Sequence, residues 1–202
     1  MERTLLAYGP SLTTMQLQAL AERAQNEKFH TVYVQELAAS RLPPSLRRGM
    51  LASLPFAGLM PEQLLFMGGR AQELGCNSFT FALPGGWIRD GRYAETTELL
   101  QSLQKQVSIR LVPTLILAQL DLDHLREAMQ LCFSVGIETL CLGTGTNLDS
   151  VDAAAIECAQ DMYRTQKIPL HHLEIASTEP LEGLEATNRI CISQTSAEAS
   201  SY

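Results

Sequence analysis

The feature that most constrains this chain is a repeated alternation. Short segments rich in aliphatic and β-branched residues take turns with longer segments that repeat apolar residues every three or four positions. Residues 4–8, 30–35, 50–56, 78–83, 107–117, 138–142, 168–175 and 189–193 read as strands. Between them lie helical patterns with recognisable ends. Thr13 and Thr14 can cap a helix running to about Glu27, in which Met15, Leu17, Leu20 and Ala24 form the stripe. Pro61 sits early in the next, which ends near Gly75. Residues 93–105 form a third. Asp121 opens a fourth that Gly136 closes, and Asp149 or Ser150 opens a fifth running to Thr165. Residues 37–49, broken by Pro43 and Pro44, read as irregular. Pro84-Gly85-Gly86 reads as a sharp loop. Pro113 lacks the N–H of a ladder donor and suits a strand end better than its middle.

Eight strands separated mostly by helices predict an α/β fold, a (β/α)8 TIM barrel, in one domain spanning residues 1–202. A doubly wound open sheet is the alternative, and no GxGxxG turn favours it. The pattern is economical at its end. Only residues 177–187 lie between strands seven and eight, and the tail after Ser193 is small and polar. The barrel is therefore expected to be truncated in its last two helices. Leu170, Leu173, Ile190 and Ile192 would then need cover. A homodimer or another protein partner over strands seven and eight is the expected remedy.

Charge and composition exclude several classes. A formal net charge of −7, with Arg47-Arg48 the only local basic pair, argues against nucleic-acid binding, which needs positive charge for phosphates. No apolar run approaches the roughly 20 residues of a membrane span, and the N-terminal residues read as a strand and not as a secretory segment. Five cysteines, odd in number and with no CxxC pair, suit reduced thiols in a cytoplasmic protein. No cofactor is expected.

Several local patterns resemble deoxyribose-phosphate aldolase, in order along nearly the whole chain. Met1-Glu2-Arg3-Thr4-Leu5-Leu6 is similar to that family's opening Ile-Asp-His-Thr-Leu-Leu. Residues 51–56 with the loop and helix after them resemble its third strand and following helix. Residues 79–86, then Asp90-Gly91-Arg92-Tyr93, resemble its fourth strand and Ser-Gly-Asp-Tyr loop. Thr139-Leu140-Cys141-Leu142-Gly143-Thr144-Gly145 falls on Phe-Val-Lys-Thr-Ser-Thr-Gly. The resemblance implies a class I aldolase barrel whose site has been altered. The family's Schiff-base lysine matches Cys141, and its second lysine matches His171. Its strand-four aspartate matches Thr80, and its strand-one acid is kept in type as Glu2. The phosphate-holding Ser-Gly-Gly has become His172-Leu173-Glu174.

The lysines lead to the same place without alignment. Lys28, Lys105 and Lys167 are the only three, and each lies just before a strand. Barrel active sites form at the other end, about 17 Å away for a five-residue strand. An imine needs a primary amine, which arginine does not supply.

Strand alternation turns Thr139, Cys141 and Gly143 to one face, and Pro169 and His171 inward on the next strand. Cys141 and His171 are thus expected within reach of one another, as a thiolate nucleophile and its base or as plain packing. Gly143, Thr144, Gly145 and Thr146, with Ser193 after strand eight, form a small-residue loop able to hold the anion of a phosphorylated small molecule. His172 and Glu174 share a strand face, but two ligands do not make a zinc site, so no metal is expected. His30 and His124 read as surface residues. Trp87 lines the barrel mouth or pins its loop.

Three functions follow. The first, and favoured, is a pseudoenzyme acting as a binding or assembly partner. The second is a sugar-phosphate or anion binder. The third is a lyase-like enzyme with different chemistry on Cys141 and His171.

Overall fold

A computed structural model describes residues 3–7, 12–54, 58–143, 151–177 and 188–193, with Ser177 and residues 188–193 described in their backbone alone. The strands are β1 (Arg3–Ala7), β2 (Thr31–Val34), β3 (Arg48–Ala52), β4 (Ser78–Ala82), β5 (Arg110–Ile116), β6 (Leu140–Gly143), β7 (Leu173–Ser177) and β8 (Asn188–Ser193). They pair in sequence order, all parallel, and β8 closes onto β1 along Arg3↔Arg189 to Ala7↔Ser193. The predicted (β/α)8 barrel is the fold. The helices are α1 (Thr14–Asn26), α2 (Glu36–Ala39), α3 (Pro61–Glu73), α4 (Gly85–Arg89), α5 (Tyr93–Gln106), α6 (Leu122–Ser134) and α7 (Ala153–Thr165). Among the described residues no helix follows β7 or β8. None is long and apolar enough to cross a membrane.

Local chemistry sets the helix ends. Thr13 Oγ1 accepts from the Gln16 N–H at 3.2 Å while Gln16 Oε1 accepts from the Thr13 N–H at 2.9 Å, a reciprocal cap on α1. Asp121 caps α6 through the His124 N–H at 2.9 Å. Asp152, and not Asp149 or Ser150, caps α7.

Strand alternation then divides the core in two. Outward residues such as Leu5, Val34, Phe79, Leu115, Leu142 and Ile175 pack under the helices. Inward ones, Leu6, Tyr33, Leu51, Val112, Cys141 and Ala176, fill the barrel.

Four expectations need correction. Residues 37–39, read as irregular, belong to α2, whose Ala38 and Ala39 are small enough to lie buried against β2 and β3. Gly85-Gly86 opens a short helix instead of a loop. Gly85 is small because an added Cβ there would fall 2.7 Å from Gln119 Oε1. Pro113 lies mid-strand in β5. Its missing N–H is tolerated because the ladder to β6 begins only at Thr114. Residues 168–172 do not extend β7; residues 170–172 form a helical turn before it. Tyr163 on α7 holds that geometry. Its hydroxyl donates to the Glu138 carbonyl at 2.7 Å, lies 3.1 Å from the His172 carbonyl, and accepts from the Leu140 N–H at 3.2 Å.

Candidate functional site

The shift in β7 changes who faces whom inside the barrel. Cys141 pairs in register with Glu174, not with His171. His171 lies in the turn below the strand, exposed, its ring tilted 35° against that of His172 with centroids 4.4 Å apart. The expected Cys141–His171 pair therefore does not form: the turn removes His171 from the strand that would have pointed it inward.

Cys141 itself is buried, packed with Leu6, Tyr33, Leu51, Val112 and Ala176. Its sulfur lies 3.6 Å from the Leu142 carbonyl. Burial, and then the Glu174 carboxylate, push its thiol far above the ordinary range. This is the opposite of an activated nucleophile. On the neighbouring strands Thr80 Oγ1 donates to the Val112 carbonyl at 2.8 Å, and the Thr80 and Thr114 hydroxyls meet at 3.0 Å. Thr80 is thus a buried residue whose hydroxyl bonds to the next strand. Gly143 ends β6, buried beside Thr114 and Ala176. Glu2, Thr144, Gly145, Thr146 and the side chain of Ser193 lie outside the described residues.

Charge sits elsewhere. Glu174 is 1 % exposed, and Arg110 Nη2 reaches its Oε1 at 3.4 Å from β5. Tyr33 leans across β3 over Gly49, where even a Cβ would fall 2.2 Å from its ring. Its hydroxyl faces Ser78, Arg110 and Glu174. Burial first, and the Glu174 carboxylate next, hold it protonated far above the ordinary phenol range, against the pull of Arg110. A cavity of about 510 Å³ opens beside the lower ends of β5 and β6, lined in part by Gln104, Arg110, Thr139 and His172. Thr139 Oγ1 and His172 Nδ1 lie 3.0 Å apart. Burial, followed by the nearby charge of His171, lowers the pKa of His172.

Sequence reasoning missed this lower cluster. Arg110 and Glu174 look like surface charges when read singly. The available signal was Leu173 and Ile175 flanking Glu174: if the leucine and isoleucine pack outward, the glutamate points into the barrel.

All three lysines occupy the opposite end from a barrel's reaction site. Lys28 and Lys167 lie in the exposed turns that lead into β2 and β7, and Lys105 is in the last turn of α5.

This geometry has close parallels among solved structures. One described as QR15, an aldolase, superposes with a TM-score of 0.78 at 12 % identity, over 96 % of this chain and 90 % of that one. A protein of Coccidioides immitis, provisionally assigned as a deoxyribose-phosphate aldolase, gives 0.72 at 18 % identity, over 87 % and 70 %. The deoxyribose phosphate aldolase of Aeropyrum pernix gives 0.64 at 15 % identity, over 87 % and 74 %. The chain folds like a deoxyribose-phosphate aldolase. At these identities the likeness to those aldolases establishes architecture alone. No family model matches the sequence, and no curated protein matches it.

Of the residues expected to need cover in this aldolase-like barrel, Leu173 is buried within the chain and Leu170 is half-buried, while the side chains of Ile190 and Ile192 lie outside the described residues.

Proposed function

We propose that this aldolase-like barrel is silent in Schiff-base chemistry and acts as a pseudoenzyme, through binding or assembly. The observation that carries the reading is Cys141. It stands where the family's imine-forming lysine stands in the sequence resemblance, and its sulfur is buried, neutral and packed among Leu6, Tyr33, Leu51, Val112 and Ala176. A Schiff base requires an amine that can lose its proton and reach a carbonyl carbon. None of the three lysines is at the end of the barrel where such a carbonyl would enter. Cys141, with its thiol held protonated and His171 turned away, does not supply a substitute nucleophile. The free thiols of Cys76, Cys132, Cys141 and Cys158 support a cytoplasmic setting.

The test is direct. Purified protein incubated with deoxyribose 5-phosphate is expected to release no glyceraldehyde 3-phosphate above a protein-free control. Borohydride reduction in the presence of acetaldehyde is expected to add no mass to any peptide. A stoichiometric adduct on Lys28, Lys105 or Lys167, together with turnover, overturns the reading.

A further inference from the structure

We infer that the gap between the lower ends of β5 and β6 is a binding site for a small aliphatic monocarboxylate. The inference goes beyond the silent-barrel reading and does not depend on it, because the gap lies at the opposite end of the barrel from the mouth where a carbonyl substrate would enter. The gap originates in the sheet. β5 and β6 are laddered only along Thr114↔Cys141, Leu115↔Leu142 and Ile116↔Gly143. Continued downward, that register would set Pro113 against Leu140 and Val112 against Thr139, and Pro113 has no N–H to offer. The ladder stops there. Below it the cavity of about 510 Å³ opens between the start of β5 and the residues that lead into β6.

The cavity has a polar wall and an apolar one. Strand alternation sends Arg110 and Thr139 to the same side as Val112 and Cys141, toward the barrel interior, and Leu111 toward the helices. The polar wall is made by the Arg110 guanidinium, the Thr139 hydroxyl, the His172 ring and the Gln104 amide. Arg110 has 32 % of its side chain exposed. A guanidinium carries five N–H donors, so it can hold Glu174 from one edge and a ligand carboxylate from the edge that faces the cavity. Thr139 Oγ1 and His172 Nδ1, 3.0 Å apart, fix one another beside it. The Arg110 N–H bonds the Asn77 carbonyl on the β4 side at 3.3 Å, so the Leu111 N–H points the other way, into the gap. Val107, Ile109 and Ile137 supply the apolar wall.

Charge and size select the ligand. Among the described residues lining the cavity, Arg110 is the one permanent cation. His172, its pKa lowered by burial, stays neutral at neutral pH and acts through hydrogen bonds. Glu174 lies behind the guanidinium and Glu138 stands exposed at the rim. A single negative charge on the guanidinium fork gains charge-assisted hydrogen bonds. A second one meets two carboxylates with no further cation to offset it, so a phosphate dianion is opposed. The volume lies in the range of small-molecule sites, and the aliphatic wall suits a short branched hydrocarbon body. A carboxylate at one end and a few methyl groups at the other match the two walls.

Isothermal titration of the full chain with sodium isovalerate at pH 7 tests the inference. Isovaleramide serves as the neutral twin and inorganic phosphate as the more highly charged anion. Saturable one-to-one binding of isovalerate is expected, at least about tenfold tighter than that of either control. Thr139→Val keeps the side chain's shape and should weaken it by about fivefold. Arg110→Gln should abolish it. Because that change strands Glu174, the double variant Arg110→Gln/Glu174→Gln removes both charges together and carries the same expectation, with its fold checked by far-UV spectrum. Absence of saturable isovalerate binding overturns the inference. So does equal binding of the amide or of phosphate, and so does wild-type affinity retained in Thr139→Val and in the double variant.

Discussion

The two ends of the barrel interior carry contrasting chemistry. Toward the N-terminal ends of the strands the interior holds a carboxylate, a guanidinium and a phenol, packed so tightly that Gly49 admits no side chain. Toward the other end, Thr114, Gly143 and Ala176 are small and neutral, and Thr80 and Thr114 bond to each other or to backbone. An enzyme on this architecture concentrates its reactive groups at the upper end. Among the described interior residues the charge lies at the lower end, where Arg110 of β5 reaches Glu174 of β7.

The contrast is sharpest at two glycines. Gly49→Ala places a methyl 2.2 Å from two carbons of the Tyr33 ring and 3.0 Å from Ser78 Oγ. Urea unfolding should register a loss of about 3 kcal/mol or more, as expected for overpacking without room to relax. Gly143→Ala places its methyl 3.3 Å from the Thr114 methyl and 3.8 Å from Ala176. It should cost less than about 1 kcal/mol, because a methyl rotation relieves the contact. Equal losses would break the comparison.

The charges come next. Glu174→Gln keeps the shape and removes the charge that attracts Arg110. A loss of about 2 kcal/mol is expected, in the range of hydrogen bonds to charged groups. Thr114→Val, in the upper half, should cost about 1 kcal/mol or less, since Thr80 keeps its bond to the Val112 carbonyl. If the threonine proves the costlier change, the polar centre of gravity lies higher than the geometry indicates.

The smallest effect is in pH. Burial pushes the Cys132 thiol up to about 12 and raises that of Cys141 as well, both from an ordinary value of 9.0. A group whose folded pKa is raised stabilises the fold fully below its unfolded pKa and loses that contribution as pH rises beyond it. Stability should therefore decline from about pH 9 upward, and decline less in Cys132→Ala measured across the same range. Native Cys141 should resist iodoacetamide at neutral pH until urea unfolds the chain. Rapid native alkylation would return a reactive thiol to the interior.

Much of the fold was legible because each element repeats one simple rule. Strand alternation and helix caps gave all eight strands and the five long helices, with α1, α3 and α5 ending within two residues of their expected limits. What failed were segments governed by contacts far apart in sequence. Residues 168–172 have strand-like composition, yet the Tyr163 hydroxyl, bonded to backbone on both sides, fits them into a turn. That one misplacement carried the site error with it, because it aligned His171 rather than Glu174 with Cys141. The lower cluster was illegible for a related reason. Arg110 and Glu174 are 64 residues apart, and only the pairing of β5, β6 and β7 brings them together.

The seam between β1 and β8 has a consequence for how the chain is made. Arg3 to Ala7 pair with Arg189 to Ser193, so one edge of the first strand finds its partner only after the chain up to residue 193 has been synthesised. At roughly 5–20 residues per second on the ribosome, that edge waits for about ten to forty seconds. Thr4, Leu5, Leu6 and Ala7, all buried once the barrel closes, offer meanwhile an apolar strand with free backbone donors, the kind of surface on which nascent chains pair wrongly. The nascent barrel is thus a template awaiting its own last strand. Its yield in the cell should depend on how well chaperones shield β1 until β8 arrives.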